Sequence, residues 1–103
     1  MRSTLAPDDD LAALVRATPA GVSLVMVVLP GRDPLALASV RAAIGPLAIE
    51  RAPAARLNAV LPDPAADPAA IAAAVAWLEG ALSTTGQLIE VSAASACTPP
   101  ATR

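Results

Sequence analysis

The sequence predicts an α/β protein, a parallel sheet with helices on both faces. Three observations carry that reading. Val22–Leu29, VSLVMVVL, is apolar at every position but Ser23, as expected of a central strand covered on both sides. Asp33-Pro34 and Asp67-Pro68 are helix starts, with Asp as N-cap and Pro at the first helical position, where its missing N–H costs nothing. Short branched runs alternate with helical stripes, which implies parallel strands joined by right-handed crossovers.

The elements follow in chain order. Met1–Pro7 has no pattern and is expected to be loose. Asp8-Asp9-Asp10 precedes Leu11, Leu14 and Val15, an i, i+3, i+4 set. Acids suit the positive end of a helix. Three consecutive Asp also suggest metal binding, but neighbours on a helix diverge by roughly 100°, a poor ligand arrangement. This helix should end near Thr18, before Pro19. The Val22–Leu29 strand stops at Pro30-Gly31. Asp33-Pro34 then opens a helix striped by Leu37, Val40, Ile44 and Leu47. Gly45-Pro46 should kink or split it, and Ala52-Pro53 should end it.

Arg56–Leu61 reads as a strand stopped by Pro62, and Leu61–Pro68 as an ordered loop. From Asp67-Pro68 a third helix sets Ile71, Val75, Leu78 and Leu82 on one face. Most of its other residues are Ala, which suits a helix lying flat on a sheet. Thr84-Thr85-Gly86 is a turn and Gln87–Val91 a strand. The expected order is helix-strand-helix-strand-helix-strand, with about three strands. Residues 1–93 make one domain and 94–103 a flexible tail.

Composition narrows the function. The chain is 55% apolar but has no Phe or Tyr and a single Trp, Trp77. Its core must therefore be built from Ala, Val, Leu and Ile. The net charge is −2 and no basic cluster exists, which argues against nucleic acid. The lone Cys97 cannot form an intramolecular disulfide, and a cytoplasmic protein is expected. MRSTLAPDDD has no apolar core for a signal peptide. Ala20–Leu29 is about half the length that spans a bilayer of ~30 Å, so no membrane is expected. The absence of His removes Ser-His and Cys-His pairs and most zinc sites. Glu79 and Glu90 show no partner.

A family resemblance rests on Arg56–Val91. RLNAVLPDP resembles the strand and loop R-V-N-A-V-x-P-G of the short-chain dehydrogenase/reductase family. AAIAAAVAWLEGALSTTGQLIEV resembles that family's late helix and the T-G-Q-x-I-x-V of its last strand. LASVRAAIGPLAIERAP is similar to the long helix bearing Tyr-x-x-x-Lys, and GVSLVMVVLP to the strand ending in the catalytic Ser. The similarity runs from about Asp8 to Ala93 and covers only the family's C-terminal half. It implies a three-layer, Rossmann-like half-domain.

The departures fall on the chemistry. The family's Tyr aligns with Leu37 and its Lys with Arg41. Leu37 has no ionisable hydrogen and cannot protonate a carbonyl. Arg41 keeps the charge and, with Pro62, is a candidate for touching a cofactor; its simpler reading is a solvated or paired helix residue. Val27-Val28-Leu29 has no hydroxyl, and Asp63 replaces the family's loop Gly. Asn58 and Thr85 survive as structural residues securing a strand and a turn. The five scattered glycines form no loop able to cradle a pyrophosphate.

The resemblance therefore implies a non-catalytic subunit that assembles with itself or with an intact reductase. One alternative is half of a composite NAD(P)-dependent oxidoreductase completed by a partner chain. Another is a stand-alone binding module with its ligand at the C-terminal ends of the strands, near Pro30, Pro62 and Ser92. No cofactor is expected for the chain by itself. Half a sheet would leave the Val22–Leu29 edge bare, a template for another chain. Val22, Leu24, Val25, Val27, Leu37, Val40, Ile44 and Leu47 are the expected interface. The family's long helix, here Leu37–Ile49, and its last strand are further assembly faces.

Overall fold

A computed structural model describes residues 1–93 of the chain. Residues 94–103, expected as a tail, and Cys97 lie outside them. The order is β1 (Arg2–Leu5), α1 (Leu11–Ala17), β2 (Leu24–Val28), α2 (Pro34–Arg51), β3 (Leu57–Pro62), α3 (Pro68–Gly80) and β4 (Leu88–Val91). The strands form one sheet of four in the order β1-β2-β3-β4, and every neighbouring pair is parallel. The α/β class and the parallel sheet are as the sequence predicts.

The three helix starts form as their residues require. Asp10, Asp33 and Asp67 are the N-caps of α1, α2 and α3. Each side chain accepts a hydrogen bond from a backbone N–H of its first turn, Ala13, Ala36 and Ala69 respectively. Such a cap is worth about 1 kcal/mol. Helix α1 is capped by Thr18 at its C-terminus, where it was expected to stop. Gly45-Pro46 does not split α2, which runs continuously for 18 residues with Pro46 inside.

Packing explains the alternation along the strands. Leu24, Met26 and Val28 face α1 and α2 in one core, with Leu5, Leu57 and Ala59. Val25, Val27 and Val60 face Val75 and Leu78 of α3 in a second. The two cores make the three layers. Each strand is added on the same side of the last, yet α3 lies on the face opposite α1 and α2. The α3 crossover therefore has the opposite hand to the other two, which corrects the expectation of uniformly right-handed connections.

Two further corrections concern the edge of the sheet. Met1–Pro7 is not loose: Arg2–Leu5 pairs with Val25–Val28. Strand β2 is thus shielded on both sides, and the bare Val22–Leu29 edge does not exist. Leu24, Val25, Val27, Val40, Ile44 and Leu47, expected at an interface, are each no more than 4% exposed within this one chain. Val22 and Leu37 are half-buried. The stripe on α3 is also one residue shorter than expected, because the helix ends at Gly80 and Leu82 is 78% exposed.

Candidate functional site

At the C-terminal ends of β2, β3 and β4 the sheet opens into a cleft of about 360 Å³. Its apolar wall comes from Val28, Leu61 and Leu37, and its rim from Pro30, Pro62 and Pro64. Val28 and Leu61 are buried. The volume lies at the lower end of the range for small-molecule sites, roughly 300–1,000 Å³. Pro30, Pro62 and Ser92, the positions expected to surround a ligand, all line it.

The polar groups are Arg32, Arg41, Asp63, Glu90 and Ser92. Arg41 stands one turn after Leu37 on α2. Its Nη1 donates to Glu90 Oε2 at 3.0 Å, joining α2 to β4. The hydrogen bond from Arg41, and then its charge, hold the Glu90 carboxyl below the usual glutamate range. Both side chains remain well exposed, so the pair is screened and adds little stability. Glu90 thus has a partner that sequence spacing did not reveal. Glu79 lies 3.6 Å from the Met1 amino group.

The loops forming the cleft are fixed from behind. Arg32 Nη2 donates to the carbonyls of Ala6 at 2.9 Å and Asp9 at 2.7 Å, tying the loop after β2 to the loop after β1. Asp63 Oδ1 accepts from Ala65 N–H at 2.9 Å, which turns this carboxylate onto its own loop. Asn58 is fully buried. Its Nδ2 donates to Thr84 O and its Oδ1 accepts from Gln87 N–H, both at 3.0 Å. Thr85 Oγ1 accepts from Leu57 N–H at 3.0 Å. These bonds fasten β3 to the turn before β4, the structural role the sequence implied. Gly86 takes φ +76° in that turn, where a side chain would be strained.

Leu37 and Arg41 are brought together in the cleft with Pro62. Of the residues expected at an interface, Leu24, Val25, Val27, Val40, Ile44 and Leu47 lie in the two cores instead. Arg32 and Glu90 were missed as site residues. A charged residue in a loop and one on a short strand carry no periodic signal, and only the fold brings them together. Leu37 offers no hydroxyl to the cleft, and of the two acids lining it Glu90 is held by Arg41 and Asp63 accepts from Ala65 N–H. Among the described residues no group of three or more His, Cys, Asp or Glu is placed to hold a metal ion. No helix among them is long and apolar enough to cross a membrane.

A family model described as SDR-like, short chain dehydrogenase-like protein, matches residues 5–91. No curated protein and no solved structure matches the chain.

Proposed function

The chain belongs to the short chain dehydrogenase-like family, and on that footing we propose that it is a non-catalytic member that assembles with a second copy or with an intact reductase chain. Leu37 carries this reading. By the resemblance it aligns with the family's proton donor; it lies on the wall of the strand-end cleft, and an alkyl group cannot supply a proton to a developing alkoxide. Arg41, in place of the Lys, is engaged by Glu90.

Assembly is supported by surfaces other than the Val22–Leu29 edge. Helix α2 buries one apolar stripe and presents another. Leu35 and Ile49 are each 77% exposed, and Ala38 and Ala42, also exposed, lie between them on the same face. The spacing is that of a packing seam, 35, 38, 42, 45 and 49. Covering each large aliphatic side chain is worth roughly 1.5–3 kcal/mol, set against ordering costs of ~4–15 kcal/mol. A seam doubled by symmetry would offset much of that cost.

Light scattering on the purified chain, with and without an intact reductase of the family, tests assembly. The expected result is a species of at least twice the 10.2 kDa chain mass, or a mixed complex. A 10.2 kDa species in both experiments rejects assembly. Titration with NADPH and a carbonyl substrate tests the other half: turnover by the chain alone would reject the non-catalytic reading.

A further inference from the structure

The cleft combines an apolar wall with a guanidinium that is only partly engaged. We propose that it binds a small apolar molecule carrying one carboxylate, with Arg41 as the anchor. This goes beyond the assembly role and does not depend on it.

Four observations support the choice of ligand. First, Arg41 contacts Glu90 through one nitrogen, Nη1, at 3.0 Å, and makes no other hydrogen bond among the described residues. A guanidinium is a planar fork able to hold a carboxylate through two parallel N–H bonds, so most of its donor capacity is unused. Second, the group it already holds is a carboxylate. Glu90 occupies the place of the ligand's own head group, on a pair that is exposed and easily exchanged. Third, the other acid at the cleft, Asp63, is turned to Ala65 N–H, while Arg32, held by two backbone carbonyls, adds positive charge to the wall. Fourth, Val28, Leu61 and Leu37 form an apolar surface below the rim, in a volume suited to a single ring.

The charges also set the valence of the ligand. A monoanion need only replace Glu90 at Arg41, whereas a dianion such as phosphate brings a second charge against the apolar wall of Val28, Leu61 and Leu37. An uncharged amide of the same shape gains neither the second N–H bond nor the charge. No covalent step is involved.

The test is a titration of the isotope-labelled full chain with benzoate, benzamide and inorganic phosphate, followed by amide and Arg Nε resonances. Benzoate should shift the signals of Leu29, Arg32, Leu61, Asp63 and Arg41 Nε saturably. Benzamide should bind about tenfold more weakly, and phosphate should not displace benzoate at equal concentration. Glu90→Gln should tighten benzoate binding by about threefold or more, because the competitor is removed. Arg41→Leu should weaken it about tenfold or more with at most a small change in the thermal melt. Arg41→Gln is the second variant should the first unfold. Absence of saturable shifts, equal binding of benzoate and benzamide, displacement by phosphate, or undiminished binding by the Arg41 variants would each overturn the proposal.

Discussion

Asn58 and two arginines do more for this small fold than their number suggests. A buried amide must find partners, and Asn58 finds them on both sides of the 84–87 turn. Removing it leaves Thr84 O and Gln87 N–H without their partner. Asn58→Ala should therefore lower stability by about 1–3 kcal/mol in urea unfolding. Arg51 is a second such residue. Its Nη1 donates to Val15 O at 2.9 Å and its Nη2 to Val22 O at 2.6 Å and Pro19 O at 3.1 Å. It closes the carbonyl end of α1 and holds the turn into β2, where a cation is favoured. Arg56 does the same for α3, with Nη1 donating to Leu78 O and Ala81 O. Arg51→Met should cost about 2–3 kcal/mol, while Arg51→Lys recovers only part, because one ammonium cannot span those carbonyls. The exposed pairs behave differently. Hydrogen bonds from Arg16 and Arg41 are the main cause that lowers the carboxyls of Glu50 and Glu90. A group with a depressed folded value adds stability above its unfolded value and loses it as pH falls through the folded one. A small loss of melting temperature is expected as pH drops below the ordinary glutamate range, shrinking in high salt.

The elements show what was legible from residues alone. Asp-Pro pairs fixed the starts of α2 and α3 because capping is local chemistry, decided by one side chain and the nearest N–H groups. The Val22–Leu29 strand was legible because both of its faces are buried. Strand β1 was not: RSTL has one apolar residue, and its pairing comes from β2, a long-range contact with no trace in its own composition. Missing it moved the expected interface onto core residues. The face taken by α3 was equally hidden, since periodicity says which side of a helix is apolar and not which side of a sheet it meets. In the site, Leu37, Arg41 and Pro62 were legible through the resemblance, whereas the Arg41–Glu90 pair spans 49 residues of sequence and depends on the register of β4. Local rules also overstated Pro46, because burial of Val40, Ile44 and Leu47 offsets its lost hydrogen bond. That loss should still be measurable. Pro46→Ala restores a donor inside a helix and should raise stability by about 1–3 kcal/mol in thermal unfolding.

At the scale of the whole molecule, two surfaces compete as the route to assembly, and they make different demands. One is the outer stripe of α2. The other is the open edge of β1. The carbonyls of Met1 and Leu5 accept from Val25 N–H on β2 and from Leu29 N–H just after it. By alternation, Arg2 and Thr4 present their backbone groups to the open side, where an added strand would bond. Proline removes such a donor but is tolerated on an edge whose N–H faces outward. Thr4→Pro should leave the isolated fold unchanged and abolish assembly only if β1 is the joining edge. Leu35→Glu with Ile49→Glu places charges on two exposed side chains, so it too spares the core, and it abolishes assembly only if the α2 stripe is the seam. The α2 stripe is the stronger expectation, because β1 offers two outward residues and α2 a face running most of its 18 residues. Light scattering should therefore show the double glutamate variant at 10.2 kDa and Thr4→Pro still assembled. The reverse pattern would place the partner on the sheet edge and leave the α2 stripe as exposed apolar surface.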